Sequence, residues 1–153
     1  MKILFVSPEY PYPNPSGGIA SYVRDIAQSL SKRGHEVKII SIDPTRAFDM
    51  FFHIHRDGDV EVHLLNESCL GRIPKFLENP RVRYLFPWLL PDLASLMPAI
   101  AAFSHCRKML RNWQPDLIES HDWQASGLLI HLLYQEIPRI LRCGGHIKVI
   151  AAN

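Results

Sequence analysis

Residues 2–42, KILFVSPEYPYPNPSGGIASYVRDIAQSLSKRGHEVKIISI, decide the fold of this chain. The apolar run Lys2–Ser7 is typical of a buried parallel strand, and the proline-rich residues after it fit neither a strand nor a helix. From Gly18 the apolar positions repeat with the 3.6-residue period of a helix, which Gly34 ends. A second apolar strand follows at Glu36–Ile42. This strand–helix–strand unit predicts a parallel sheet with a right-handed crossover.

The rest of the chain continues the alternation of strands and helices. The pattern predicts a strand over 60–65, in a hairpin across Asp57-Gly58, a helix over 92–113 kinked at Pro98, a strand over 117–120, a helix over 124–134 and a final apolar run at 140–141. Residues 44–58 fit no single element. We therefore predict one α/β domain over residues 1–153, with a Rossmann-like, doubly wound, mainly parallel sheet and helices on both faces.

The composition is that of an ordinary globular protein. The 153 residues are 47% hydrophobic and 21% charged, with a net charge of +2 that does not indicate a nucleic-acid binder. The three cysteines are isolated from one another and odd in number, which disfavours a disulfide framework or a structural zinc site. A cytoplasmic location is the expectation.

The apolar stretch 84–103 has the length of a membrane span, but three prolines and Asp92 interrupt it. Phe86 and Trp88 follow a basic flank, so a peripheral contact with the inner face of the membrane stays open beside a buried or lid segment. The amino terminus is too short in apolar residues for a signal peptide.

The glycine pair Gly17-Gly18 marks the first candidate site. A helix that begins at two glycines points bare backbone N–H groups and a partial positive charge at whatever lies in front of it, which suits a phosphate or a carboxylate. Glu9 and Tyr10, just after the first strand, are further candidates for binding the substrate. The alternative is a tight strand-to-helix turn without a ligand.

The second candidate site is His121-Asp122, at the carboxyl end of the strand 117–120. In a doubly wound sheet this strand lies beside the first one, at the point where the strand order reverses, and ligands bind in the crevice there. The pairs Gly17-Gly18 and His121-Asp122 are therefore expected to share one crevice. The alternatives are a His121 bonded to backbone, an Asp122 that only caps the following helix, and a Trp123 that packs in the core instead of stacking on a sugar.

Other chemistries find little support. The chain contains no G-x-G-x-x-G, no P-loop and no G-x-S-x-G motif. A flavodoxin-like phosphate loop does not fit the proline-rich segment. His53 and His55, with Asp57, Asp59 and His63 nearby, are interpreted as a surface loop, and no metal site is predicted.

Two segments, SPEYPYPNPSGGIASYVRDIAQSLSKRGHEVKII and PDLIESHDWQASGLL, resemble the acceptor-side N-terminal domain of GT-B glycosyltransferases. The resemblance is to the retaining family 4 enzymes, and HDWQ is also similar to glycogen and starch synthases. It covers residues 1–43 and 115–137. It implies a hexosyltransferase-like enzyme that moves a sugar from a nucleotide sugar to a glycan, lipid or small-molecule acceptor, with retention and without a metal or other cofactor.

The resemblance also implies roles for individual residues. Gly18 would meet the donor diphosphate, with Gly17 giving backbone room, while His121 and Asp122 would be the catalytic pair on the acceptor side of the cleft.

The sequence departs from the family pattern near its end. Residues 139–145 break the apolar strand expected there, which makes His146 a poor counterpart of the family's cleft histidine. The nucleotide-binding second domain and its glutamate pair are missing, so we expect a truncated, frameshifted or split enzyme with little or no activity alone. The alternative is a non-catalytic binding or regulatory module, or a gene remnant, that pairs with a separately encoded C-terminal domain.

Overall fold

The computed structural model describes residues 1–12, 17–43, 52–66, 90–122, 126–143 and 146–150. The strands are β1 (Lys2–Ser7), β2 (Glu36–Asp43), β3 (Phe52–Asp57), β4 (Val60–Asn66), β5 (Leu117–His121), β6 (Arg139–Cys143) and β7 (His146–Ile150). The helices are α1 (Gly18–Lys32), α2 (Leu90–Met109) and α3 (Leu128–Leu133).

All seven strands form one sheet in the order β3-β4-β2-β1-β5-β6-β7. The five inner strands run parallel, and the outer strands β3 and β7 each run antiparallel to their neighbour. β1 pairs with both β2 and β5, so the order of the strands reverses between β1 and β5. The predicted doubly wound, mainly parallel sheet is confirmed.

Helices cover both faces of this sheet. Successive residues of each strand point to opposite sides, so each face has its own core cluster. On one face α1 packs Val23 and Ala27 against Phe5 and Ile39. On the other face Ala102 and Cys106 of α2 join a core cluster with Leu4, Val6, Ile40 and Ile118, and Ile130 of α3 belongs to the same cluster. The inner strands β1, β2 and β4 are buried on both sides, which explains why their sequences are rich in apolar residues.

The end of α1 shows why its sequence stops there. Gly34 has a φ of 84°, a left-handed conformation that glycine adopts without the penalty a side chain would bring. The Gly34 N–H donates to the carbonyl of Ser31, and the His35 N–H donates to that of Leu30. These bonds satisfy carbonyls of the last helical turn and direct the chain into β2.

The outer strands differ most from the expectations. β3 lies within the segment that the sequence left unassigned, and its exposed Phe52 and Ile54 weaken the alternating pattern of a half-buried strand. His53 and His55 lie in this strand, so their assignment to a loop was wrong. β7 pairs with β6 as an antiparallel hairpin that the sequence did not predict, and it includes the backbone of His146.

Two helix boundaries also differ. α2 ends at Met109, where a turn carries the chain towards β5, instead of continuing to Trp113. α3 begins at Leu128 with Gly127 as its N-cap, so it does not begin at Gln124 and Asp122 does not cap it.

In the described part of the chain, no helix combines the length and the apolar character that crossing a membrane requires. Phe86 and Trp88, which motivated the peripheral-contact alternative, lie outside the described residues.

A chain of polar contacts joins β2, β4 and α2 on the second face of the sheet. Lys38 Nζ donates to Glu61 Oε1 at 2.7 Å, and His63 Nε2 lies 2.8 Å from the same oxygen. His63 Nδ1 lies 2.8 Å from His105 Nε2 on α2. Burial lowers the pKa of His63, and burial together with the neighbouring His63 and Lys108 lowers the pKa of His105 to about 4. The two imidazoles are therefore neutral in the native protein near neutral pH.

Acidification should destabilise the protein through this histidine pair. An unfolded histidine titrates near pH 6.5, whereas native His105 titrates near 4. Between these pH values the unfolded chain binds a proton that the native protein does not bind. The stability present above pH 6.5 is therefore lost as the pH falls towards 4. His105 alone should cost about 2 kcal/mol between about pH 7.5 and pH 5. Urea unfolding at both pH values should show a smaller loss for His105→Gln than for the wild type. Equal losses would contradict this assignment.

Candidate functional site

The strand reversal brings two segments to the same edge of the sheet. β1 and β5 are parallel neighbours, with Ile3 opposite Leu117 and Val6 opposite Ser120. The loop that leads to α1 leaves the carboxyl end of β1, and His121 is the last residue of β5. The structure thus places Gly17-Gly18 and His121-Asp122 after the carboxyl ends of adjacent strands.

The start of α1 has no capping side chain in the described part of the chain. Gly17 is the N-cap and makes no side-chain cap hydrogen bond, and the first turn contains no acidic residue. Both glycines are exposed, and a Cβ added to Gly18 would meet no atom of the described residues within 4 Å. Among the described residues, no side chain bonds the first N–H groups of α1, which is the arrangement of a helix start that can bind an anion.

The Glu9 carboxylate lies close to this helix start. A Cβ at Gly17 would lie 3.2 Å from Glu9 Oε1, so the glycine leaves room for this carboxylate. The Ser7 hydroxyl donates to the backbone carbonyl of Glu9 at 2.8 Å and fixes the turn after β1. Glu9 is close enough to the helix start to compete with an incoming anion, and its contact with substrate stays a prediction.

Tyr10 is hydrogen-bonded to the outer strand β3. Its side chain is buried in the core cluster beneath α1, and its hydroxyl donates to Asp57 Oδ2 at 2.8 Å. Arg24 Nε donates to the same oxygen at 2.8 Å. Burial and the Asp57 carboxylate raise the pKa of Tyr10. These contacts give Tyr10 a structural function, and its contact with substrate stays a prediction.

His121 is buried and incompletely hydrogen-bonded. Its relative exposure is 5%, and Nε2 has no hydrogen-bond partner among the described residues. Burial is the main cause that lowers the pKa of His121, so the imidazole is neutral near neutral pH. Asp122 follows on the exposed surface, where its backbone N–H donates to the carbonyl of Arg142 at 3.1 Å. Trp123 lies outside the described residues.

Three side chains beside His121 form a polar cluster, which we call the Tyr22–Glu119–Arg142 cluster. The Tyr22 hydroxyl donates to Glu119 Oε1 at 3.0 Å, and Arg142 Nε donates to the same oxygen at 3.2 Å. Arg142 also donates through Nη2 to the Tyr22 hydroxyl, and its guanidinium carbon lies 4.1 Å from the centre of the Tyr22 ring. Burial and Glu119 raise the pKa of Tyr22 to about 12. The cluster ties α1 to β5 and β6.

The Tyr22 ring also contacts His121. The two rings meet edge to face, with their centres 5.9 Å apart. Since Tyr22 lies one turn after Gly18, this contact links the open start of α1 to the end of β5. The helix start and the histidine therefore belong to one connected region.

The opposite face of β5 is closed by α3. Ser120 is fully buried and its hydroxyl is hydrogen-bonded to His131 Nε2. Arg139 Nη1 donates to the His131 carbonyl. At Gly127 a Cβ would lie 2.5 Å from both the Cβ and the Oγ of Ser120, so only glycine allows α3 to approach β5 this closely. This packing fixes the strand whose end carries His121.

The model of glycosyltransferase family 4 matches residues 16–147, which include the start of α1, the end of β5 and most of the sheet. The chain belongs to glycosyltransferase family 4. The predicted family is thereby confirmed.

Relatives of this glycosyltransferase domain include glycogen synthases. It is 28% identical to glycogen synthase 2 of Geobacter metallireducens over 88% of this chain and 31% of that protein. It is also 28% identical to glycogen synthase 1 of Rhizobium radiobacter, over 92% of this chain and 32% of that protein. The chain thus spans about a third of the length of these relatives.

Solved structures show the same fold. The catalytic domain of starch synthase IV from Arabidopsis thaliana, bound to ADP and acarbose, matches with a TM-score of 0.59 and 18% identity, over 92% of this chain and 33% of that one. A UDP-forming α,α-trehalose-phosphate synthase from Burkholderia vietnamiensis matches with a TM-score of 0.53 and 19% identity, over 92% and 32%. The predicted Rossmann-like fold of a GT-B N-terminal domain is confirmed.

Sequence reasoning missed the Tyr22–Glu119–Arg142 cluster. Glu119 and Arg142 are charged residues within the strands β5 and β6, and a charge that is largely buried requires a partner. These two charges were the signal from which a buried polar cluster could have been predicted. Nothing in the sequence identifies which side chains meet, because Tyr22 and Arg142 are 120 positions apart.

Proposed function

We propose that this domain is the acceptor-side half of a retaining glycosyltransferase, which transfers a sugar from a nucleotide sugar to an acceptor hydroxyl. The observation that carries the proposal is the pairing, at one strand reversal, of an uncapped helix start with a buried, incompletely bonded histidine. The family match and the glycogen synthase relatives support the same reaction class.

The start of α1 would stabilise the departing diphosphate. The N–H groups at Gly17 and Gly18 are fixed in direction by the helix, so they need no reorganisation as charge develops on the leaving group. The positive end of the helix dipole adds to this stabilisation. Gly18 contributes through its lack of a side chain, since the space beside its Cα is open.

His121 and Asp122 would orient the reacting sugar and the acceptor. A neutral imidazole forms hydrogen bonds to hydroxyl groups without bringing a charge into the cleft, and burial keeps His121 neutral. Asp122, exposed at the same edge, supplies a hydrogen-bond acceptor for a sugar hydroxyl. Holding the attacking hydroxyl on the face from which the diphosphate leaves is the positioning that retention requires.

The donor is proposed to be a nucleotide sugar acting as a substrate, and the reaction is proposed to need no resident metal or cofactor, in line with the family resemblance. The acceptor is a glycan, a lipid headgroup or a small molecule. The nucleotide base would be bound by a second domain, which corresponds to the part of the relatives that this chain does not match. That domain would be separately encoded or belong to further chain. We place the reaction in the cytoplasm.

Calorimetry tests this division of labour. The chain is titrated with ADP-glucose and UDP-glucose, alone and together with the separately produced C-terminal half of a glycogen synthase relative. We expect weak heats from the chain alone and stronger binding in the mixture, because half a cleft neither excludes water nor contacts the whole donor. Tight binding by the chain alone, or none in either arm, would contradict the proposal.

A further inference from the structure

Arg142 and His121 lie side by side at the ends of two neighbouring strands. They are direct register partners on the parallel pair β5 and β6, so their side chains project from the same face of the sheet. Both contact the ring of Tyr22: the His121 ring meets it edge to face, and the Arg142 guanidinium lies over it. The His121 imidazole and the Arg142 guanidinium therefore flank one aromatic side chain.

Both side chains have hydrogen-bonding capacity to spare. Arg142 uses Nε for Glu119 and Nη2 for Tyr22, while Nη1 has no partner among the described residues. The Arg142 side chain is 23% exposed, so part of the guanidinium reaches the surface. His121 Nε2 is buried and has no partner in the same part of the chain. A buried polar atom without a partner costs free energy that a ligand would recover.

Glu119 holds Arg142 in place. Its carboxylate is more deeply buried than the guanidinium, with a side-chain exposure of 9%, and it lies on the Nε side. Arg142 Nε and Nη2 are therefore occupied, and Nη1 can donate to a second acceptor. A guanidinium fixed in this way is suited to a phosphate or a carboxylate, which it recognises by directed hydrogen bonds.

We propose that Arg142 and His121 bind an anionic group of the acceptor, so that this domain prefers a sugar phosphate or a sugar carboxylate over a neutral sugar. The identification of this ligand as the acceptor rests on the proposed function. The anion site itself rests on the geometry of the cluster. Arg142 donates from Nη1 and His121 donates from Nε2 in its Nε2-protonated form. The Tyr22 ring contacts both side chains.

The test is an NMR titration of the isotopically labelled chain. The probes are glucose 6-phosphate, glucuronate, inorganic phosphate and neutral glucose at constant ionic strength, and the signals are the imidazole resonance of His121, assigned with His121→Gln, and the Nε resonance of Arg142. We expect the two anionic sugars to shift both signals, and glucose to shift neither at the same concentration. Phosphate alone should bind more weakly than glucose 6-phosphate.

Variants separate the guanidinium from charge in general. Arg142→Gln should weaken binding of glucose 6-phosphate about tenfold, the value of one charge-assisted hydrogen bond. Arg142→Lys keeps the charge opposite Glu119, and its affinity for glucose 6-phosphate should fall between those of the wild type and Arg142→Gln. Arg56→Gln removes the same charge from a side chain that is 79% exposed on β3, and should bind like the wild type. The amide spectrum of each variant reports whether it is folded.

The outcomes distinguish the two proposals. Equal shifts by glucose and glucose 6-phosphate in the wild type overturn the anion site, whatever the variants do. If Arg142→Gln weakens ADP as much as glucose 6-phosphate, Arg142 serves the donor and the acceptor assignment is overturned. If the anionic sugars bind and ADP binds neither the chain alone nor its mixture with the C-terminal half, the anion site stands and the proposed transfer reaction fails. Normal ADP binding with a selective loss of glucose 6-phosphate supports both.

Discussion

Replacing Gly127 with alanine is expected to lower the free energy of unfolding by about 3 kcal/mol, or roughly 6–12 °C in melting temperature. The new Cβ would lie 2.5 Å from the Cβ and Oγ of Ser120 and 3.1 Å from Cδ2 of His131. Ser120 sits in β5 and cannot retreat without moving the strand, so α3 must shift instead. The Gly127 backbone, at φ −90° and ψ −4°, suits alanine, so the loss would report the steric clash alone.

Gly18→Ala is the matched control for this measurement, since its Cβ would meet no atom within 4 Å. We expect its melting temperature to stay within about 2 °C of the wild type, because alanine also suits a first helical position. The two variants should be compared by thermal and urea unfolding. A Gly127→Ala protein as stable as Gly18→Ala would show that α3 does not approach β5 as described.

Gly18→Asp should abolish measurable binding of nucleoside diphosphates while leaving the fold intact. The side chain has open space, and a carboxylate at the first turn of a helix is favourable, so stability should change by less than about 0.5 kcal/mol, given the nearby Glu9 carboxylate. The same carboxylate occupies the anion position and repels a diphosphate, which should weaken ADP binding on the order of 100-fold.

Gly18→Ala again serves as the control, with an expected loss of ADP binding well below that of Gly18→Asp. Gly18→Asn adds a side chain of the same size without the charge. Binding by Gly18→Asp that equals binding by Gly18→Asn would show that charge at this helix start does not matter, and would remove α1 from the donor site.

The arrangement of the candidate site was predictable because it follows from topology. The alternation of strands and helices requires a parallel sheet, and a reversal of strand order then brings the end of β1 beside the end of β5. Gly17-Gly18 and His121-Asp122 could thus be placed at one edge without any knowledge of contacts. Sequence periodicity is sufficient where an element is long and strongly amphipathic, as α1 is.

Other features depend on contacts between distant residues and escaped prediction. The preference of Asp for N-caps suggested that Asp122 begins the next helix, but close packing against Ser120 places that start at Gly127. The outer strands β3 and β7 have one free edge and carry a weak hydrophobic pattern. The Tyr22–Glu119–Arg142 cluster joins three elements through side chains that only the folded structure brings together.

Amide and imidazole NMR of the wild-type chain titrated with ADP tests the central claim most directly. If the start of α1 and the end of β5 line one groove, the amides of Gly17 and Gly18 and the imidazole of His121 should shift together, along curves that give a single dissociation constant. Shifts confined to the glycines or to the histidine, or curves with different midpoints, would contradict a shared groove and with it the proposed sugar transfer.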